Sequence, residues 1–281
     1  MITCLNPGTI GGGVSYEEFV ELARRTNFQA VEFGIEPLAT MAQQKGLDET
    51  RSWLAEKGVA HAAFWLPVPW TGDEAAFQDG LKRLPSLAFI AKEVHCHSCI
   101  TYIPPAVNED PEGFLERAAK RFQAVCDVLA DFGIRFGIEW VAPAHHREKG
   151  QPTLWRMDQA LQLCERISRK NVGLLVDSYH WFCAEHTVED LLRLTKDQVV
   201  HCHINDAPDR PVEQQRDNDR LLPGDGIIDL KAFLKALKQI GYDGAVSVEV
   251  LSERLPKEKS KEELARLSSV ALKRLLEEVA S

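Results

Sequence analysis

The chain has no apolar run approaching the roughly 20 residues that cross a bilayer. Its opening stretch, Met1 to Gly13, has neither the basic segment nor the long apolar core of a secretory signal. Both absences lead to the expectation of a cytoplasmic protein with no membrane partner. Basic charge is in deficit, with 33 Lys and Arg against 42 Asp and Glu and a formal charge of -9. Such a surface repels a polyanion, so nucleic acid is not expected as a partner. No Ser/Gly-rich linker or low-complexity tract divides the chain, and Gly11-Gly12-Gly13 lacks the dinucleotide-binding fingerprint. No paired zinc-finger spacing occurs either. Cys96 and Cys99, within His95-Cys96-His97-Ser98-Cys99, have no second Cys/His pair behind them. The seven cysteines lie mostly in apolar or helical stretches, where a free thiol behaves as a small hydrophobe.

What is present is 44% hydrophobic content, arranged as short β-rich runs that alternate with longer segments of helical period. Strands are predicted over Ile2 to Asn6, Ala30 to Phe33, Val59 to Phe64, Val94 to Ile100, Ile134 to Glu139, Val172 to Asp177, Val199 to Ile204 and Ala245 to Val250. Tyr16 to Arg25, Pro111 to Phe132, Met157 to Ile167, Leu230 to Ile240 and Lys261 to Val279 carry apolar residues every three or four positions and are predicted as helices. Gly58, Gly133 and Gly241 stand where left-handed helix stops are needed before the next strand. The α/β alternation predicts one (β/α)8 TIM barrel over residues 1–281, a little longer than the typical ~250.

Four apolar strand ends in the second half run straight into a residue that can bind a metal: Glu139, Asp177, His203 and Glu249. In a barrel, chemistry sits at the carboxyl ends of the strands, and these four close neighbouring strands about one βα unit apart. Three carboxylates and one imidazole buried together require a shared positive partner. The oxygen-rich set favours one divalent ion, Mn²⁺ first, then Mg²⁺ or Co²⁺, with Zn²⁺ tolerated.

The segments Gly137-Ile138-Glu139, Asp177-Ser178-Tyr179-His180, His203-Ile204-Asn205-Asp206, Pro223-Gly224-Asp225-Gly226-Ile227-Ile228-Asp229 and Val248-Glu249 resemble the xylose-isomerase-like barrels. That superfamily includes sugar isomerases and epimerases, inosose isomerases and dehydratases, and endonuclease IV. The resemblance implies that Glu139, Asp177, His203 and Glu249 bind the metal, that Glu139 and Glu249 also act as acid and base, and that His180 contacts a substrate oxygen. It also implies homodimers or homotetramers. His61, read as ending the third strand, His97, within the fourth, and Trp140, after the fifth, are expected to line the same mouth. Trp65, Trp70 and Trp181 are further candidates for its walls.

Two positions depart from the ketose 3-epimerase pattern. His145 stands where those enzymes place an additional Glu, and Asp209 where they place an Arg, with Arg210 one residue later as the substrate-binding candidate. Endonuclease IV needs histidines after the metal His, and none follows His203. The expected activity is therefore isomerisation or epimerisation of a small polyhydroxy carbonyl compound, a sugar, ketose or keto-inositol, through proton abstraction and a metal-stabilised enediolate. The alternative is dehydration of a keto-polyol such as an inosose or dehydroshikimate. A phosphodiester hydrolase and a non-catalytic barrel rank below both.

Overall fold

A computed structural model describes residues 1–280. The apolar runs form ten strands: β1 (Ile2–Leu5), β2 (Ala30–Glu32), β3 (Ala60–Trp65), β4 (Ser98–Ile103), β5 (Ala106–Val107), β6 (Arg135–Trp140), β7 (Gln151–Pro152), β8 (Val172–Asp177), β9 (Val199–Ile204) and β10 (Ala245–Val248). Eight of them pair in parallel in the order β1-β2-β3-β4-β6-β8-β9-β10. The ring closes where Ile2 pairs with Ala245 and Leu5 with Val248. The short antiparallel ribbon of β5 and β7 stands apart from the barrel and joins the segments that follow β4 and β6.

Helices cover the barrel because each connection carries a helical apolar stripe. Tyr16–Arg25 buries Tyr16, Phe19, Val20, Leu22 and Ala23, and Ser15 opens it with a capping box to Glu18. Gly58, Gly133 and Gly241 adopt φ of 64°, 68° and 90°, as a left-handed helix stop requires. Lys261–Ala280 packs against β1 and the short turn of helix at Pro7–Ile10, closing the outer layer. Among the described residues no helix is long and apolar enough to cross a membrane.

The fourth strand lies farther along the chain than the sequence predicts. Helix Glu74–Glu93 ends at Val94, and His95, not a glycine, takes the left-handed turn at φ 58°. The Cys96 amide then bonds back to the Ala91 carbonyl, so extended structure starts only at Ser98.

Two glycines set the level of the carboxyl ends of β6, β8 and β9. Gly137 and Gly173 leave room for Val200: a Cβ on Gly137 would lie 3.1 Å from the Val200 Cβ, and one on Gly173 only 2.6 Å from the Gln198 carbonyl. The β8–β9 register slips here, with Leu174 opposite Val199 but Leu175 opposite His201. The slip places Asp177 opposite His203, which in turn faces Ser247 of β10.

Candidate active site

Glu139, Asp177 and His203 lie at or near the carboxyl ends of β6, β8 and β9, while Glu249 follows the last residue of β10 and continues its ladder through an amide bond to Ile204. All four are buried, with Asp177 and His203 wholly enclosed. The His203 Nδ1 stands 3.2 Å from Glu249 Oε2, 3.6 Å from Glu139 Oε1 and 3.8 Å from Asp177 Oδ2. One ligand atom from each residue falls within 4.8 Å of every other. Glu139 Oε1 and His203 Nδ1 have no hydrogen-bond partner although both are buried. Orphaned buried polar atoms are uncommon and call for an explanation. A divalent cation among three carboxylate oxygens and one imidazole nitrogen would satisfy both, so the donor set fits such an ion.

The charges respond to this crowding. Burial, with the neighbouring Glu249 and Asp177 carboxylates, pushes the Glu139 carboxyl up to about 8 against the pull of His203. Burial would lower His203, but Glu249 and Glu32 outweigh it and hold the imidazole well above its ordinary value. Burial would likewise raise Asp177, yet Arg220, His180 and His203 keep it below the usual carboxylate range.

Arg220 is the residue that sequence reasoning missed. Its guanidinium is 1% exposed and donates from Nη1 to Asp177 Oδ2 at 2.8 Å and to Glu249 Oε2 at 3.0 Å, and from Nη2 to Asp217 at 2.7 Å. In sequence it lies away from any barrel strand, in the long segment between β9 and helix Leu230–Gln239. That segment is pegged by Asp206, whose carboxylate accepts from the amides of Ala207, Gly224, Gly226 and Ile228. Asp206 and Leu221 also exchange both backbone hydrogen bonds. The sole sequence signal was position, three residues before the Pro223-Gly224-Asp225-Gly226 turn.

A second buried cluster lies beneath the first. Glu32 of β2 meets His201 and His203 Nε2 at 2.9 and 2.8 Å, and Asn6 donates to Glu32 and to Glu249 at 2.7 and 3.2 Å.

Above the four groups opens a cavity of about 470 Å³. Trp65, Tyr102, Pro104 and Leu251 form its apolar side, while Glu139, Glu249, His180, Arg220, Asp217 and Lys149 supply its polar side. Trp65 and Tyr102 meet edge to face, with centroids 6.5 Å apart. His146 reaches Asp217 at 3.3 Å, linking the segment after β6 to the one carrying Arg220. A larger cavity of about 620 Å³ lies between the Leu47–Lys57 helix and His95, where Arg51 and Glu93 already neutralise each other at 2.7 Å.

The structure brings His180 to this mouth but not His61, His97, Trp140 or Arg210. His61 is the second residue of β3, not its last, and its Nδ1 meets the Tyr16 hydroxyl at 2.9 Å. His97 precedes β4 and is exposed at the opposite end of the barrel, a consequence of the later start of that strand. Trp140 is wholly buried, and its indole N–H donates to the His180 carbonyl at 3.3 Å. Arg210 is paired with Asp219 at 2.6 Å. Of the other tryptophans, Trp70 packs on Phe114 and Phe122 and Trp181 on Phe233, leaving Trp65 in the cavity wall.

Comparisons with known proteins agree with this architecture. A solved xylose isomerase domain protein from Alicyclobacillus acidocaldarius superposes with a TM-score of 0.93, at 33% identity over 100% of both chains. The inosose isomerase of Bacillus subtilis is 35% identical over 124 residues, 44% of this chain and 42% of that protein, so the aligned stretch spans about two-fifths of the relative's length. A structure of the IOLI protein with a bound zinc atom shares the fold at a TM-score of 0.81 and 22% identity, covering 98% of each chain. More distant relatives are named inosose dehydratase, D-psicose 3-epimerase and 3-dehydroshikimate dehydratase. A family model described as xylose isomerase-like TIM barrel matches residues 20–270, and the chain belongs to that family.

Proposed function

We propose that this protein is a divalent-metal-dependent isomerase or epimerase of a small polyhydroxy ketone or aldehyde. The observation that carries the reading is the pair Glu139 and Glu249, which line one sugar-sized cavity and share one ligand cluster with Asp177 and His203. Those four residues would hold the ion, Mn²⁺ being the first candidate. When bound, it would draw electron density from the substrate carbonyl and make the adjacent C–H more acidic.

The chain's own groups supply the proton transfers. Glu249 accepts hydrogen bonds from Asn6 and Arg220, whereas Glu139 Oε1 accepts none and burial pushes the Glu139 carboxyl up to about 8, so that it holds its proton. Glu249 is therefore the better base, taking the proton from the carbon beside the carbonyl. Glu139 returns a proton to the other face of that carbon in an epimerisation. If the proton is instead delivered to the neighbouring carbon while a hydroxyl proton moves to the former carbonyl oxygen, the outcome is an aldose-ketose shift. Trp65 gives the apolar face of a sugar ring a surface to lie on, and His180 and Arg220 offer polar contacts to its oxygens.

A second reading, dehydration, draws support from Glu139, whose buried carboxyl is raised to about 8 and, protonated in the same cavity, supplies the acid that a departing hydroxyl needs. The deciding experiment incubates the protein with Mn²⁺ and panels of ketoses, keto-inositols and 3-dehydroshikimate in D₂O. Deuterium at the carbon beside the carbonyl with an isomeric product supports isomerisation or epimerisation, and loss of water from the product mass supports the lyase. No exchange into any substrate by a metal-loaded protein would overturn both.

A further inference from the structure

We infer that Glu32, on the far side of the barrel from β8, is the positioning residue of the metal centre: it orients His203 as a ligand and, through Asn6, holds Glu249. This rests on the metal-centred reading above. Glu32 is wholly buried. A carboxylate in that position is costly unless its oxygens are satisfied. Every donor it meets belongs to the site or leads into it. Oε2 takes the Nε2 atoms of His201 and His203 at 2.9 and 2.8 Å, and Oε1 takes the Asn6 amide at 2.7 Å.

The consequence for His203 is directional. With Nε2–H given to Glu32, the lone pair of the neutral ring lies on Nδ1, the atom that faces Glu139, Asp177 and Glu249. A carboxylate behind the ligating imidazole fixes both the tautomer and the ring plane and raises ligand basicity. His201, whose ring stands 5.4 Å from that of His203 at 83°, occupies the other side of the same Oε2 and keeps the carboxylate from rotating away. Asn6 completes the arrangement. Its side-chain oxygen is engaged by the Gly8 amide at 2.7 Å, so its NH₂ group is aimed at both Glu32 and Glu249. One carboxylate thus couples β1 and β2 to the ligands at the ends of β9 and β10.

The test is metal affinity and ligand geometry, read without substrate. Purified wild type and Glu32→Gln are stripped with chelator and titrated with Zn²⁺ against a chromogenic competitor, and the Co²⁺-loaded forms are compared by visible absorption. Glu32→Gln should bind Zn²⁺ about 10- to 100-fold more weakly, as loss of an outer-shell carboxylate does, with a shifted Co²⁺ band, and Glu32→Asp should recover part of the affinity. An affinity and a Co²⁺ spectrum both equal to wild type would overturn the inference. Should Glu32→Gln fail to fold, ¹⁵N-histidine NMR of the wild type decides: the Zn²⁺ form must show His203 protonated at Nε2 with Nδ1 shifted by metal, and the opposite tautomer refutes the assignment. A wild type that binds no divalent ion defeats the proposed function itself, a result distinct from either.

Discussion

Replacing Arg220 with Met tests how the site is held together before any ion enters. The side chain is 1% exposed and bonds to Asp177, Glu249 and Asp217 at 2.7 to 3.0 Å. Methionine fills much of the same space but leaves those carboxylates without their guanidinium. Breaking a buried ion pair by removing one partner costs about 3–5 kcal/mol. Since each kcal/mol shifts the melting temperature of a chain of this size by about 2–4 °C, the metal-free variant should melt about 10 °C below wild type. Mn²⁺ at 100 times its Kd stabilises either protein by about 2.7 kcal/mol, but the gain at a fixed Mn²⁺ concentration should be larger in the variant, where Asp177 and Glu249 have lost their guanidinium and the ion is their positive partner. The deficit should therefore narrow with metal. Calorimetric melts in chelator and then in saturating Mn²⁺ give both numbers. If Arg220→Met melts with wild type in chelator, Arg220 is not the counter-charge of the cluster. Arg220→Lys should fall between the two, because one ammonium cannot reach all three carboxylates in the geometry of a fork.

Further outcomes follow from the same geometry. Glu139→Gln and Glu249→Gln should each abolish deuterium exchange into substrate while leaving the melting temperature in chelator within a few degrees or raising it; exchange at the wild-type rate in either would remove that residue from the chemistry. The Glu139 carboxyl is raised in the folded protein to about 8, above its unfolded value, so its stabilising contribution is complete at acid pH and fades as pH rises toward 8. Chelated Glu139→Gln should accordingly gain stability relative to wild type across that interval in urea titrations, and a constant difference would contradict the shift. Trp65→Ala should raise KM for a ring substrate with little change in the metal affinity of the protein, measured by the same chromogenic competition. His146→Ala removes the 3.3 Å contact to Asp217 and should accelerate proteolysis within residues 143–150 without altering Zn²⁺ affinity.

The barrel was legible because its strands and helix stops carry strong local signals. Val172 to Asp177 and Val199 to Ile204 were bounded to the residue, and the glycine turns at 58, 133 and 241 fell where the chain needs φ above zero. The fourth strand was displaced because a histidine took the turn that a glycine usually signals. That shift accounts for His97, read as lying within the fourth strand and found just before it, whereas His61, read as ending the third strand, is the second residue of β3, whose bounds differ from the predicted ones by a single residue. The four converging groups were readable from strand-end position, but their partners were not. Val31-Glu32 has the same apolar run into a carboxylate as the other four, yet it stands in the first half of the chain, away from the recurrence. Arg220 reaches the site by a loop fold that periodicity does not encode, and Arg210, closer in sequence to His203, is turned outward onto Asp219.

The Asp206 peg separates where the chain wanders from where it must return. Leu221 is clamped to Asp206 by paired backbone bonds, and the Gly224 to Ile228 amides converge on the same carboxylate. Arg220 is held from its other flank as well: its own amide donates to the Leu251 carbonyl, and upstream the Tyr179 hydroxyl donates to Gln215 and to the Arg216 carbonyl. The turn at Val212–Gln214, which lies between those anchors, is the stretch that can vary while the guanidinium stays at its post. For a laboratory seeking new substrates on this scaffold, that is the segment to randomise first.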